Sequence, residues 1–277
     1  MTLFDAEALA EVRAEHMVRA RLVVAYDGSG FHGFAAQPGQ RTVGGTLVEA
    51  LEQILRHPVD LTCAGRTDTG VHAWGQVVSF DAPADRFDPV LLQRSLNRLC
   101  SPAIVIRDAA VASPPDFDAR HSAVARTYRY TVVNRLVPDP FLARLAWHVD
   151  DPLDLALLRL GCDPLIGEHD FTAFCRRPKR GDGAAVSLVR NIQAASWDDL
   201  GEGVLRFEIR ANAFCHQMVR SVVGTLVEVG LGRLFAGDIR GILAGGDRSA
   251  AGRLAPPHGL CLWMVSYPQE AGTMAVR

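Results

Sequence analysis

Between residues 21 and 112 the chain reads as six short segments whose apolar spacing switches between the period of a strand and that of a helix. RLVVAYDG (21–28) has strand character, and a Gly/Pro-rich loop follows it. TLVEALEQILR (46–56) sets Leu47, Ala50, Leu51, Ile54 and Leu55 on one helical face. A short segment, DLTCAG, leads through a polar turn into WGQVVSF (74–80), which reads as a strand. FDPVLLQRSLNRLC (87–100) is a second helix, with Asp88 and Pro89 as its start signals, and AIVIRDAAVA (103–112) returns as a strand. Strand, helix, strand, strand, helix, strand is the split βαβ or ferredoxin-like order, which many RNA-binding modules share.

A comparable series follows the turn at 114–116. TYRYTVVN (127–134) is a strand and DLALLRLGC (154–162) a helix; VRNIQAASWD (189–198) and GVLRFEIRANAF (203–214) form a hairpin. HQMVRSVVGTLVEVGLG (216–232) is an apolar helix ending in glycines, and LCLWMVSYP (260–268) closes as a strand. The expected fold is α+β, with two ferredoxin-like, RRM-like βαββαβ halves, a mainly antiparallel mixed sheet and a central cleft. The expected boundaries are an N-terminal extension at 1–20, halves at 21–113 and 114–269, and a tail at 270–277. Residues 1–18 have helix-like spacing and nothing obvious to pack on.

Composition narrows the function classes. At 48% apolar and 22% charged residues the chain has a globular profile. It has no apolar run of membrane-spanning length and no secretory h-region, so a cytoplasmic protein is expected. The six cysteines lie singly and lack metal-ligand spacing, which predicts reduced, buried thiols and no zinc site. The net charge of −2 gives no bulk sign of nucleic-acid binding. Of the 29 basic residues, however, Lys179 is the one lysine. Arginine binds phosphate bidentately and stacks on bases, so any RNA must meet a local arginine-rich surface.

The stretch CAGRTDTGVHAWGQVVSF (63–80) places Arg66 and Asp68 on a turn flanked by Gly65 and Gly70, between two apolar segments. Turn glycines allow another molecule close to the backbone, and loops on rigid strands concentrate functional residues. From local chemistry alone, Asp68 is either a catalytic carboxylate or the acceptor of an Asx turn. His72, four residues later, has metal-like spacing only on a helix, which Gly70 and the following strand argue against. RRPKRGDG (176–183) is a basic loop, either a solvated surface or a phosphate contact through Arg176, Arg177, Lys179 and Arg180.

Six blocks taken together are more specific. YDGSGFHGF with QRTVGGTLVEALE, the 63–80 stretch, ARTYRYTVVN, GEHDFTAF, RANAFCHQMVRSVVGTLVEVG and APPHGLCLWMVSYP occur in one order. The pattern resembles the TruA-type tRNA pseudouridine synthases over about residues 21–268. Phe34 and Ala35 stand where that family usually has Trp-Gln, and Thr69 where alanine is common. These departures bear on target preference more than on the reaction.

The resemblance implies the pseudouridine synthase fold and isomerisation of uridine in the tRNA anticodon stem-loop, at positions 38–40. It implies a homodimer, tRNA as partner, and neither cofactor nor metal. Asp68 becomes the nucleophile or base, Tyr128 the ring against the target uracil, and Arg220 the partner of Asp68. Arg66 takes part in holding the flipped nucleotide or filling its place. Each residue also has a plain structural reading: Arg220 as a core-edge ion pair, Tyr128 as cross-strand packing. Two rival functions stay open at this level, a non-catalytic RNA binder on the same fold and a metal-dependent phosphoesterase built on Asp68 and His72.

Overall fold

The computed structural model describes residues 17–176 and 187–268, and the chain divides into two compact units, residues 1–123 and 124–277. The first unit runs β1 (Met17–Tyr26), α1 (Val43–Leu55), β2 (Thr62–Cys63), β3 (His72–Pro83), α2 (Pro89–Cys100), β4 (Ile104–Val111). Its strand order is β4-β1-β3, with the two-residue β2 pairing β3, and every pair is antiparallel. Ala20, Leu22, Val24 and Tyr26 alternate along β1 as its buried face. Leu47, Leu51 and Leu55 of α1 and Leu92 and Leu96 of α2 are almost wholly buried, each contributing about 1.5–3 kcal/mol of apolar burial.

Local chemistry starts both helices, α2 at the expected Asp88 and Pro89 and α1 at Val43, three residues before the expected segment. The Thr42 side chain accepts from Gly45 N at the head of α1; the Asp88 carboxylate accepts from Val90 N and Leu91 N, with Pro89 in the first turn of α2. A bulge between Val23 and Val24 breaks the β1–β4 register. Side chains of α2 satisfy the main chain beside it: Gln93 donates to the Ile106 and Arg107 carbonyls, and Asn97 both donates to Ile106 O and accepts from Ile106 N.

The second unit runs β5 (Ala125–Asn134), β6 (Trp147–Val149), α3 (Leu155–Leu160), β7 (Gly167–Asp170), β8 (Val189–Asp199), β9 (Val204–Ala211), α4 (Met218–Gly230), α5 (Asp238–Gly245), β10 (Leu260–Ser266). Its strand order is β10-β5-β9-β8-β7, antiparallel throughout, while β6 adds a short parallel pairing to β5. Helix α4 is apolar nearly all round, as a core helix must be. No helix among the described residues is long and apolar enough to cross a membrane.

Three segments depart from expectation. Met17 and Val18, read as part of an appended segment, are strand residues paired with Pro83 and Ala82. β6, β7 and α5 interrupt the simple second series. Cys175 and Cys215 are joined as a disulfide with Cα atoms 5.9 Å apart, which corrects the expectation of six separate thiols. Tertiary proximity, invisible at a separation of 40 residues, made the pair.

Glycine sets the closest backbone approach in the second unit. A Cβ on Gly224 of α4 would fall 1.6 Å from Arg253 O, and one on Gly252 would fall 2.8 Å from Thr225 Cα. Gly252 N also donates to Thr225 Oγ1, which donates in turn to Ser221 O. Gly224→Ala is therefore expected to destabilise the protein by at least about 2 kcal/mol. Gly241→Ala, in exposed helix with nothing near its Cβ position, should instead add about 0.5–1 kcal/mol. Urea unfolding of the two variants beside wild type checks both signs.

Candidate active site

Asp68 sits in the connection between β2 and β3, and main-chain bonds define its surroundings. Asp68 O accepts from Val71 N at 3.1 Å, closing a turn whose third residue, Gly70, has φ +78°. That left-handed geometry is the reason for a glycine there. The Asp68 side chain is half-buried and Arg66 is exposed on the same loop. Burial pushes the nearby Cys63 thiol up in pKa, against the pull of the Arg66 and Arg120 guanidinium groups.

The segment after β1 presses directly on this loop. Phe34 N donates to Thr67 O at 3.0 Å, and a Cβ on Gly33, whose φ is +84°, would lie 2.9 Å from that same oxygen. At the loop's far end, Gly28 N donates to His72 Nδ1 at 3.1 Å. Accepting from an amide leaves Nδ1 without a proton, so its 3.2 Å approach to Asp27 Oδ1 is a proximity, not an ion pair. His72 is 5% exposed and its Nδ1 is engaged in holding the segment after β1 to β3. A metal role built on His72 gains nothing from this geometry.

Beneath the loop lies a buried polar group. Gln76 of β3, with no exposed surface, donates from Nε2 to Gly65 O at 2.6 Å and approaches the Tyr26 hydroxyl at 3.4 Å. Tyr26 in turn shares a 2.7 Å hydrogen bond with Thr67 Oγ1. A carbonyl at 2.6 Å must face the amide nitrogen, which fixes the flip of the Gln76 side chain. Its Oε1 is then buried with no partner among the described residues, at a cost of about 1–3 kcal/mol. Phe34, placed by sequence among the residues bearing on target choice, is 3% exposed and packs its ring 6.2 Å from Tyr26. It is a support of the loop.

The other expected residues belong to the second unit. Tyr128 on β5 is 8% exposed, and Phe214 meets it edge to face at 5.1 Å. Arg220, in the first turn of α4, donates from Nε to Ala255 O at 2.8 Å, while Ala255 N donates to Arg220 O. Two residues along β5, Tyr130 donates its hydroxyl to Pro256 O at 2.8 Å. Burial raises the Tyr130 phenol well above its usual range, with Arg220 and Arg253 pulling the other way. Arg176 is exposed, and its amide donates to His216 O beside the Cys175–Cys215 bridge. Arg177, Lys179 and Arg180 lie outside the described residues.

Sequence reasoning missed Gln76, Tyr26, Thr67 and Phe214. The available signal was a glutamine inside the largely apolar run 74–80, which a strand interior accepts only with hydrogen-bond partners.

Comparison with known proteins agrees with the order of the sequence blocks. A family model described as tRNA pseudouridine synthase matches residues 22–122 and 162–268. A tRNA pseudouridine synthase A of Methylobacterium nodulans is 42% identical over 257 residues, covering 92% of this chain and 98% of the relative. One from Leifsonia xyli is 41% identical, covering 93% and 94%, and one from Bacillus velezensis is 39% identical, covering 90% and 99%.

The shifted Tyr130 phenol gives a test of the electrostatics around Arg220. Its folded pKa is raised above the unfolded value of about 10, so its share of stability is complete below that pH and is lost as pH rises beyond it. Unfolding midpoints in urea from pH 8 to 11 should fall for wild type. Tyr130→Phe should start lower by about 1 kcal/mol, for the lost bond to Pro256 O, and fall less steeply.

Proposed function

The chain belongs to the tRNA pseudouridine synthase family and is an isomerase of uridine in tRNA; from that premise we propose that it acts on the anticodon stem-loop at positions 38–40, with Asp68 as its reacting carboxylate. The observation that supports this most is the placement of the Asp68 turn. It is a half-buried carboxylate on a loop with its main chain held from below and from the side. Such restraint is what a group needs if it is to meet one atom of a substrate.

The reaction breaks the N1–C1′ bond of uridine, turns the base and joins C5 to C1′. The proton on C5 is released and N1 ends protonated, so atoms and electrons balance without a cofactor, metal or water. An ionised Asp68 serves by attack at C1′, by addition to C6, or by removing the C2′ proton to form a glycal. Tyr128 supplies an aromatic face that offsets part of the cost of unstacking the target base, a few kcal/mol. Arg220 contributes positive charge to the same chemistry, and Arg66, exposed beside Asp68, contacts the flipped nucleotide or fills its place.

Arg176, with Arg177, Lys179 and Arg180, is assigned to phosphate contacts, which position RNA without reading its sequence. The proposed architecture is the pseudouridine synthase fold of two ferredoxin-like halves. The orders β4-β1-β3-β2 and β10-β5-β9-β8 support it, because they repeat one arrangement of first, second, third and fourth strands. A cytoplasmic homodimer is proposed as well. Leu136, Val137 and Phe141, exposed at 82, 68 and 90%, are apolar surface that an interface would cover.

Tritium release from tRNA carrying 5-tritiated uridine tests the reaction. Asp68→Asn should lower release by about 10²–10⁴-fold while tRNA binding in a filter assay stays within a few-fold of wild type. Replacing uridine at positions 38–40 of the tRNA should abolish release by wild type. Release from the Asn variant at the wild-type rate would remove Asp68 from the chemistry; binding without release by either protein would favour the RNA-binder reading.

A further inference from the structure

Gln76 is a fully buried amide on β3, and its Oε1 has no hydrogen-bond partner among the described residues. Leucine or methionine has nearly its volume and would bury no unpartnered amide oxygen, but it would take the donor away from Gly65 O. What the amide adds over an apolar side chain is its hydrogen bonds, and its two contacts say what they hold. Nε2 donates to Gly65 O on one side of Arg66, and the same nitrogen approaches the Tyr26 hydroxyl, which bonds Thr67 Oγ1 on the other. With the amide as donor to Tyr26, the phenol proton points at Thr67, so donation runs in one direction from Gln76 through Tyr26 to Thr67.

We propose that Gln76 and Tyr26 are positioning residues for the reaction: together they latch the main chain at Gly65 and Thr67 and so fix the placement of the carboxylate at Asp68. The inference rests on the assignment of Asp68 as the reacting group. Its content is separate, because it concerns two side chains that never meet the substrate.

Three further contacts limit the loop to small displacements when the latch is cut. Phe34 N holds Thr67 O, the ring of Phe34 backs Tyr26, and Gly28 N holds His72. The loop stays folded in a latch variant, yet loses the last fraction of an ångström of register. A misplacement of about 1 Å costs a catalytic group up to about a hundredfold in rate. Affinity for tRNA, carried mainly by the phosphate contacts proposed outside this loop, is expected to change little.

Tyr26→Phe removes a single oxygen and Gln76→Leu the amide. Both are compared with wild type and Asp68→Asn for turnover at saturating tRNA, KM, tRNA binding and thermal midpoint. Tyr26→Phe is expected to lose about tenfold in kcat and Gln76→Leu up to about a hundredfold, with KM and binding within twofold and the assay run well below each midpoint.

Gln76→Glu supplies a readout that packing alone does not move. Burial raises the new carboxyl's pKa, and only its protonated form donates to Gly65 O. Its kcat relative to wild type should climb as pH falls from 8 to 5.5, while the ratio for Gln76→Leu stays flat. Wild-type kcat in both Tyr26→Phe and Gln76→Leu, alongside an inactive Asp68→Asn, would overturn the latch and leave the Asp68 assignment standing. A pH-independent Gln76→Glu ratio, or losses that appear in KM, would overturn it equally. An active Asp68→Asn would instead overturn the assignment beneath it, and the latch with it.

Discussion

The approach of one stretch of backbone to another, without side chains between them, is what the first unit depends on. After β1 the chain turns and runs back against the loop carrying Arg66 and Asp68. It comes so near that a Cβ on Gly28 would lie 2.1 Å from Val71 O and one on Gly33 2.9 Å from Thr67 O. Glycine alone permits this, and at Gly33 and Gly70 it also supplies the positive φ the turns require. Helix α1 is drawn into the same contact, since Val43 N and Gly44 N donate to Gly33 O and Phe34 O. The loop is thereby gripped by the end of one strand and the start of one helix. The rigidity of regular structure passes into a segment that has none.

Much of this was legible in the sequence, for a physical reason. Apolar periodicity is a local property, and it located α1, α2, α4 and the longer strands of both units to within a few residues. The turn at Asp68 was legible because glycines with required dihedral angles leave a signature. What escaped depends on distant partners. β6 has three residues and β7 is the polar string GEHD, so neither carries a pattern of its own; each exists because β5 or β8 offers it an edge. Helix α5 holds Gly241 and Gly245, poor helix formers that tertiary packing of Ile239, Ile242 and Leu243 overrides. Phe34, which sequence marked only as a departure from the family's usual residue, is buried against Tyr26, a contact made across distant segments and invisible in the local pattern.

The arginine-dominated composition divides in the same way between local pattern and distant partner. Several arginines are consumed across strands: Arg19 meets Asp81, Arg21 meets Asp108, Arg129 meets Glu208 and Arg206 meets Asp198. These pairs are partly exposed, each worth at most about 1 kcal/mol, and they keep the charged faces of the strands in register. The chain's 31 acidic residues outnumber its 29 basic ones, which gives the net charge of −2. The positive charge is matched where it serves the fold. Arg66 makes no ion pair among the described residues, and it stands exposed on the loop of Asp68. Arg94, Arg98 and Arg240 are likewise exposed and make no ion pair among the described residues, so the cations left to solvent are spread over both units and Arg66 is set apart by its place beside Asp68. What distinguishes Arg66 is therefore position and not charge count: it is carried by the same glycine-gripped loop as Asp68, so whatever fixes one fixes the other.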